Sequence, residues 1–427
     1  MKNCWGQNSL IRSVKGTHDI LPDQTWRWRK IESDLHNFMQ KYGYQEIRTP
    51  AFEKTELFAR GIGEETDIVS KEMYSWTDQG GEYLTLKPEL TAPVVRAYIQ
   101  HNLGSQSAVN RLYYMDALFR RERPQKGRTR QFHQFGAEVF GSEHPEADAE
   151  IIAISYNFFK TLGIDNLILT LNSIGSEECR QNFRNELRNY LKPFLPDLTE
   201  TSQNRFKKNP LRILDTKIEH EKEIIKNAPR ISNFLTSDDK SHFEEVKSLL
   251  NALSIPFTVD SQMVRGLDYY TRTTYEITST ALGAQDALCG GGRYDKLVET
   301  LGGKPTPAIG FAAGIERLIL ALESKTAEFN DDSIQLYIIG IVEDARSVCQ
   351  ILAQELRNQG FSVSTDLLRR SLKSLLREAN RNNIKIAIII GDDELVNNTV
   401  QVKDMETGEQ TTIIKNKLIE YLTDLDF

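Results

Sequence analysis

Two strand-like segments flank a charged loop between Arg111 and Gly141 and constrain the possible folds most strongly. The first segment reads RLYYMDALFRRE, the second reads QFHQFGAEVFG, and the loop RPQKGRTR lies between them. The loop contains Pro124 and Gly127, which are residue types that favour chain reversal. The pattern therefore predicts a long antiparallel hairpin.

Strand side chains alternate between two faces, so the hairpin sequence also indicates what each face carries. Gln134 and Glu138 share one face of the return strand, and Arg120 and Glu122 share a face of the first strand. The other face of the return strand carries the apolar side chains Phe135, Ala137 and Val139. If that face packs a core, the polar face lines a cleft suited to an anionic ligand such as a nucleotide, because arginine can donate two hydrogen bonds to phosphate. The alternative is a charge run that is simply solvated.

Composition limits the classes of protein that remain. The chain has 427 residues and a net charge of −7, which argues against a surface that binds polyanions over its whole extent. The cysteines Cys4, Cys179, Cys289 and Cys349 are scattered, so neither a disulfide framework nor a metal site is expected. No apolar run approaches the roughly 20 residues that span a bilayer, and no secretory signal is recognisable, so a cytoplasmic protein without membrane contact is expected.

The pattern of apolar residues changes along the chain and predicts its domains. Residues 1–330 are expected to form one domain, and within it about 175–257 are expected to form a mainly helical insertion. The polar segment 323–332 is expected to be a linker. Beyond it, strand and helix patterns alternate, which predicts a separate α/β domain over 331–427.

Three further segments carry residue types that suit a binding site. RGLDYYTRTTYEI places Arg265 near Tyr269 and Tyr270, although two β-favouring aromatic residues are the simpler reading. CGGGRYD, which ends in Tyr294-Asp295, allows close backbone approach or forms a tight turn. PAIGFAAGIERLIL reads as a strand of small residues followed by a helix that carries Arg317, and an arginine there is normally a surface residue. P-loop, GxGxxG and HExxH motifs are absent from the sequence.

Taken in order, these segments resemble a known family. The proline-ended strand before residue 51, the FRRE hairpin and GFAAGIER resemble motifs one, two and three of class II aminoacyl-tRNA synthetases. RGLDYYTRTTYEI and ALCGGGRYDKL resemble the two histidine-specific signatures of the histidyl-tRNA synthetase family, and KGTHDILP and LKPELTAPVVR also match it. The resemblance implies an α+β fold: a class II antiparallel sheet flanked by helices, a helical insertion and a C-terminal α/β anticodon-binding domain.

The resemblance also implies a reaction and its residues. Histidine and ATP would form histidyl-adenylate, and the histidyl group would then pass to tRNA. Arg120 and Arg265 would hold the α-phosphate and Arg317 the triphosphate, with Glu122 also at the ATP site. The residues that would bind histidine are Glu89, Thr91, Gln134, Glu138, Tyr269, Tyr270 and Tyr294. Glu138→Ala is expected to lose histidine recognition mainly.

The remaining implications concern partners. ATP is expected as substrate with Mg²⁺ bound through it, tRNA as the partner of the C-terminal domain, and a homodimer as the assembly. The tRNA-binding candidates are Arg369, Arg370, Lys373 and Arg377, and a solvated helix face is the alternative for them. Lys87 stands where the family often has arginine, so a bidentate contact is not expected there. The competing function is a non-catalytic, synthetase-like regulatory or tRNA-sensing protein.

Overall fold

The computed structural model describes residues 10–63, 66–125, 127–214, 216, 218–263, 266–280, 287–323 and 334–425. The chain separates into two compact units, Met1–Glu328 and Phe329–Phe427. No sheet and no hydrophobic core is shared between the two units among the described residues. Nearly all of the expected linker at 323–332 lies outside the described residues.

The first unit contains an eight-stranded sheet and a small three-stranded sheet. Its strands are β1 Gln45–Glu46, β2 Phe52–Lys54, β3 Tyr74–Thr77, β4 Tyr83–Leu86, β5 Asn110–Phe119, β6 Gln131–Phe140, β7 Leu167–Ser173, β8 Thr258–Val259, β9 Thr271–Ser279, β10 Ala287–Arg293 and β11 Ala308–Gly314. The large sheet has the order β1-β5-β6-β11-β10-β9-β7-β8, and the small sheet has the order β2-β4-β3. Within the large sheet, each neighbouring pair in the run β5-β6-β11-β10-β9-β7 is antiparallel. At the two edges, β1 pairs in parallel with β5 and β8 pairs in parallel with β7.

The hairpin predicted from the sequence is confirmed as β5 and β6. It pairs ten residues on each strand, from Asn110 opposite Phe140 to Phe119 opposite Gln131. The predicted alternation of faces also holds. The apolar side chains of β6 enter the main core, and these are Phe135, Ala137 and Val139.

The first unit contains ten α-helices among its described residues. They are α1 Pro22–Lys41, α2 Thr55–Ile62, α3 Thr91–Gln100, α4 Pro145–Thr161, α5 Glu177–Leu191, α6 Glu200–Lys208, α7 Glu219–Ile225, α8 Ser237–Ala252, α9 Leu297–Thr300 and α10 Ile315–Glu323. Buried side chains of α1, α4, α8 and α10 share the main core with β6. Helix α4 begins at a proline, whose missing N–H costs nothing in the first turn.

The helices of the predicted insertion divide between two cores. Phe183 and Leu187 of α5 belong to a separate small core together with Leu198 and Ile213. Helix α8 instead packs Phe243, Val246 and Leu250 into the main core. These three positions follow helical spacing, so they present one apolar face.

Two segments of the first unit differ from their sequence pattern. Strand β9 begins only at Thr271, after the two neighbouring tyrosines, because Asp268 and Tyr269 form a turn before it. The three glycines of CGGGRYD lie inside β10 rather than in a turn. A Cβ on Gly291 would lie 2.5 Å from the backbone oxygen of Gly310, so the neighbouring strand leaves no room for a side chain.

The second unit is an α/β domain, as its alternating sequence predicts. Its strands are β12 Leu336–Gly340, β13 Val363–Thr365, β14 Ile386–Ile390, β15 Thr399–Asp404 and β16 Gln410–Ile414, and its helices are α11 Ala345–Asn358, α12 Leu372–Arg381, α13 Asp392–Asn397 and α14 Leu418–Thr423. The sheet order is β13-β12-β14-β15-β16; β13, β12 and β14 are parallel, and the last two strands are antiparallel.

The central strand β14 explains why the sheet of the second unit is covered on both faces. Ile386, Ile388 and Ile390 enter one core, while Ala387 and Ile389 enter another. A continuous apolar run is typical of a strand buried on both sides. Within the described part of the chain, no helix combines the length and the apolar character needed to cross a bilayer.

Candidate active site

A cavity of about 490 Å³ lies in the first unit, with walls from β6, β9, β10, β11 and the start of α3. It brings together residues that are far apart in the sequence. The predicted site residues that line it are Glu89, Thr91, Arg120, Glu122, Gln134, Tyr269, Tyr270, Tyr294 and Arg317. Arg265 lies outside the described residues.

Glu138 lies beneath this cavity and has no exposed surface. Its Oε1 accepts hydrogen bonds from Thr91 Oγ1 at 2.9 Å and from the Tyr114 hydroxyl at 2.8 Å. Its Oε2 accepts one from the Tyr294 hydroxyl at 2.5 Å. Because a carboxylate offers about four acceptor positions, these described donors leave one position on Oε2 for a ligand.

Gly310 makes room for the carboxylate of Glu138. It lies directly opposite Glu138 in the β6–β11 pair. A Cβ at Gly310 would lie 1.5 Å from Oε2 of Glu138, a distance that two non-bonded atoms cannot occupy. The glycine therefore gives the carboxylate the space that it fills.

Two buried carboxyls of the site have raised pKa values. Burial raises the pKa of Glu138 to about 8, against the opposing effect of its hydroxyl donors. Burial likewise raises the pKa of Glu89 to about 7, although the backbone N–H groups of Ala92 and Thr91 favour its charged form. Desolvation disfavours the ionised form of an acid, which is the cause in both cases.

Glu89 is fixed by the beginning of helix α3. Its carboxylate accepts from the backbone N–H of Thr91 at 2.8 Å and from that of Ala92 at 2.9 Å. The first N–H groups of a helix have no partner within the helix, so an acidic side chain satisfies them and is stabilised there. Both bonds hold Glu89 at the cavity wall.

The two described arginines predicted for ATP are anchored differently. Arg120 donates from Nε to the Pro88 carbonyl at 2.9 Å, and its guanidinium lies 5.1 Å from the centre of the Phe132 ring. Arg317 donates to the Ala287 carbonyl at 2.8 Å. Burial lowers the pKa of both guanidiniums, but an arginine stays charged near neutral pH. Each therefore brings a positive charge to the cavity.

Tyr269 and Tyr270 both line the cavity, whereas alternation along a strand would direct them to opposite faces. The difference arises because this segment turns before β9 begins. The Tyr269 ring contacts the Tyr294 ring, with centres 5.6 Å apart. The rings of Tyr269, Tyr270 and Tyr294 form an aromatic wall, and the hydroxyl of Tyr294 donates from this wall to Glu138.

Sequence reasoning missed Tyr114, Arg205 and Arg212. Tyr114 lies opposite Gly136 in the hairpin, and a Cβ there would lie 2.6 Å from the Tyr114 hydroxyl. The cross-strand pair of Gly136 with Tyr114 could therefore have indicated that the Tyr114 side chain lies over the glycine. Arg205 and Arg212 come from the insertion and line the cavity, but no local pattern places them there.

Known proteins resemble the chain over nearly its whole length. The family model for histidyl-tRNA synthetase matches residues 16–318, and a model for an anticodon binding domain matches 335–425. A histidine–tRNA ligase of Synechococcus sp. (strain JA-3-3Ab) is 45% identical over 413 residues, which is 97% of this chain and 99% of that protein. One from Chloroherpeton thalassium is 49% identical over 408 residues, covering 94% of this chain and 95% of the relative.

The chain belongs to the histidyl-tRNA synthetase family. The crystal structure of apo S. aureus histidyl-tRNA synthetase agrees with the fold: its TM-score is 0.83 at 39% identity, covering 96% of this chain and 99% of that one. The family and the fold class predicted from the sequence are thus confirmed.

Lys87, for which no bidentate contact is expected from the sequence, is buried and does not line the cavity. Its Nζ donates to Asp116 Oδ2 at 2.6 Å and to the Thr49 carbonyl at 3.1 Å. A single ammonium satisfies both acceptors. The lysine therefore makes both hydrogen bonds without the bidentate geometry of an arginine.

The basic residues of the second unit differ in how freely they face solvent. Arg369, Lys373 and Arg377 are exposed. Arg370 pairs with Asp366 at 3.1 Å and with Glu378 at 2.5 Å, so its charge is largely neutralised within the unit. The positive charges of the first three therefore face solvent.

Proposed function

We propose that the cavity of the first unit activates L-histidine with ATP and that the chain then transfers the histidyl group to tRNA. The observation that carries this proposal is the Glu138 carboxylate with one open acceptor position beneath a cavity that also contains Arg120 and Arg317. The enzyme is then a histidine–tRNA ligase that forms AMP. Its catalytic domain is 1–330, with the insertion at 175–257, and its anticodon-binding domain is 331–427.

The proposed activation step needs charge stabilisation rather than a base. The histidine carboxylate is already ionised at neutral pH and attacks the α-phosphorus of ATP, which releases pyrophosphate. Negative charge accumulates on the phosphate oxygens as the phosphorus becomes crowded. Arg120 and Arg265 hold the α-phosphate and Arg317 holds the triphosphate, with Glu122 beside them. Prearranged charges of this kind need no rearrangement during the reaction.

Histidine recognition divides between the two buried carboxyls. Glu138 Oε2 accepts the imidazole N–H, with Tyr269, Tyr270 and Tyr294 forming the wall around the ring. The α-ammonium lies near Glu89, Thr91 and Gln134. Glu89 uses two of its about four acceptor positions on backbone N–H groups, which leaves the others for the ammonium.

Mg²⁺ enters this site on the phosphates of ATP. Glu276 and Glu316 line the cavity, and both oxygens of Glu316 also accept from the backbone N–H of His133, at 2.9 and 3.0 Å. The lone pairs that remain on these two carboxylates would help to hold the ion. Magnesium sites of this type commonly use one or two carboxylates together with substrate phosphate oxygens, and this pair fits that donor set. When bound, the ion would neutralise phosphate charge, while the residues described above bind and orient the two substrates.

The second unit is the proposed tRNA-binding domain. Arg369, Lys373 and Arg377 are exposed cations of this unit, whereas Arg370 is held by ion pairs with Asp366 and Glu378. Lysine and arginine contacts to phosphate supply sequence-independent affinity for nucleic acid. The family resemblance further implies a homodimer in the cytoplasm.

Aminoacylation with labelled histidine tests the proposal. The chain is incubated with ATP, Mg²⁺ and bulk tRNA, and label in acid-precipitable tRNA is measured. We expect labelling that requires ATP and is lost in Arg317→Ala. Binding of tRNA by folded protein without labelling would instead support the non-catalytic, regulatory or tRNA-sensing alternative.

A further inference from the structure

Arg180 connects the helical insertion to the turn that carries the two cavity tyrosines. It lies in the first turns of α5, and its side chain is 8% exposed. Its Nη1 donates to the Tyr270 carbonyl at 2.6 Å and, at 3.4 Å, to the Asp268 carbonyl. Its Nη2 pairs with Glu177 one turn earlier on the same helix. One buried guanidinium thus bridges α5 and the backbone of residues 268–270.

The insertion also holds the side chain of Asp268. Asn209 Nδ2 donates to Asp268 Oδ1 at 3.2 Å, and Arg212 lies 3.5 Å from the same oxygen. Both contacts come from the segment after α6. The turn before β9 is therefore tied to the insertion through its backbone and through one side chain.

A second, small cavity of about 60 Å³ lies behind this turn. Tyr270 lines both this cavity and the large one, and Arg180 and Asp268 line the small one. Tyr270 consequently separates two open spaces. Side chains that line a cavity lose dispersion contacts on that side. The position of the turn therefore depends more strongly on the hydrogen bonds from Arg180.

We propose that Arg180 is a positioning residue that sets the depth of the histidine pocket by holding the backbone of Asp268 and Tyr270 against the insertion. Without its donors the turn can relax into the small cavity, and the Tyr270 ring then leaves its place beside the imidazole. A displacement of α5 would change the same pocket. This inference rests on the proposed role of the cavity in histidine binding.

The test compares Arg180→Met and Arg180→Lys with wild type in histidine-dependent exchange of pyrophosphate into ATP. Methionine retains much of the apolar stem without any donor, whereas lysine keeps one charged donor. We expect the KM for histidine to rise about tenfold in Arg180→Met and less in Arg180→Lys, with the KM for ATP unchanged. A purely structural role would lower kcat or the melting temperature and leave the KM for histidine unaltered.

Arg184→Met is the matched control. Arg184 lies one turn further along α5, pairs with Glu177 at 3.6 Å and lines the same small cavity. Among the described residues it donates no hydrogen bond to the turn 266–270. We expect its KM for histidine to stay within about twofold of wild type, since a positioning effect needs the donors of Arg180.

Three results would overturn the inference: an unchanged KM for histidine in folded Arg180→Met, equal increases for histidine and ATP, or the same increase in Arg184→Met. If Arg180→Met does not fold, Arg180→Lys decides by the same criterion. The wild-type measurement separates this inference from the proposed function. Absence of histidine-dependent exchange in wild type would contradict the proposed function. Exchange in wild type, together with an unchanged KM for histidine in the Arg180 variants, would contradict only the role of Arg180.

Discussion

Glu138→Gln tests how the buried carboxylate recognises histidine. Glutamine has nearly the same shape and, with its oxygen in the place of Oε1, keeps the acceptor of the Thr91 and Tyr114 hydroxyls. Its NH₂ then takes the place of Oε2, beside the Tyr294 hydroxyl. An amide NH₂ cannot accept from an imidazole N–H. Glu138→Ala is a poorer test of recognition, because it would also leave those buried hydroxyls without their partner.

The expected magnitude follows from the one acceptor position that the donors leave on Oε2. A hydrogen bond to a charged group contributes about 1.5–3 kcal/mol, so kcat/KM for histidine should fall about 10- to 160-fold. The KM for ATP should change less than about twofold, because the arginines that bind it are untouched. Histidine and ATP are titrated separately in the exchange assay, with the exposed Glu143→Gln as control.

The pH profile gives this prediction a second readout. Burial raises the pKa of Glu138 to about 8, so the empty wild-type site gains its full acceptor as the pH rises through that value. The profile of kcat/KM for histidine should therefore show an inflection near pH 8 that Glu138→Gln lacks. A variant with wild-type kcat/KM and an unchanged profile would refute the assignment of Glu138 to the imidazole.

Further predictions address sterics, tRNA and stability. Gly310→Ala should abolish histidine-dependent exchange, whereas Gly314→Ala should retain it, because the new Cβ lies 1.5 Å from Glu138 Oε2 in the first case and no closer than 3.7 Å to any neighbour in the second. Charge reversal at both Lys373 and Arg377 should raise the KM for tRNA about tenfold or more and leave exchange intact; equal KM values would remove these residues from the tRNA surface. Unfolded Glu138 loses its proton at lower pH than folded Glu138, so wild type should lose stability relative to Glu138→Gln between about pH 5 and pH 8 in thermal melts.

The sequence was most informative where side chains repeat with a simple period. Alternation along β6 predicts Phe135 in the core and Gln134 on the polar face, and the structure places Phe135 in the main core and Gln134 at the cavity. The alternation of strand and helix patterns beyond residue 331 likewise predicted an α/β domain, and its central strand β14 is buried on both faces. Periodicity succeeds here because burial acts on every second residue of a strand.

Periodicity was uninformative where the chain turns or where distant segments meet. Tyr269 and Tyr270 share one cavity because a turn interrupts the strand pattern. Gly291 lies within a strand, where the neighbouring backbone is too close to leave room for a side chain. Glu138 accepts a hydrogen bond from Tyr294, which is distant in the sequence. Such contacts are set by tertiary packing, which a local pattern does not encode.

The most direct test of the central claim is amino-acid-dependent exchange of pyrophosphate into ATP, with Mg²⁺ and without tRNA, for each standard amino acid in turn. The cavity geometry predicts exchange with histidine and none with the others. Exchange with a different amino acid would contradict the assignment of Glu138 and the tyrosine wall to imidazole recognition. A folded protein that catalyses no exchange at all would contradict the claim that this cavity activates an amino acid.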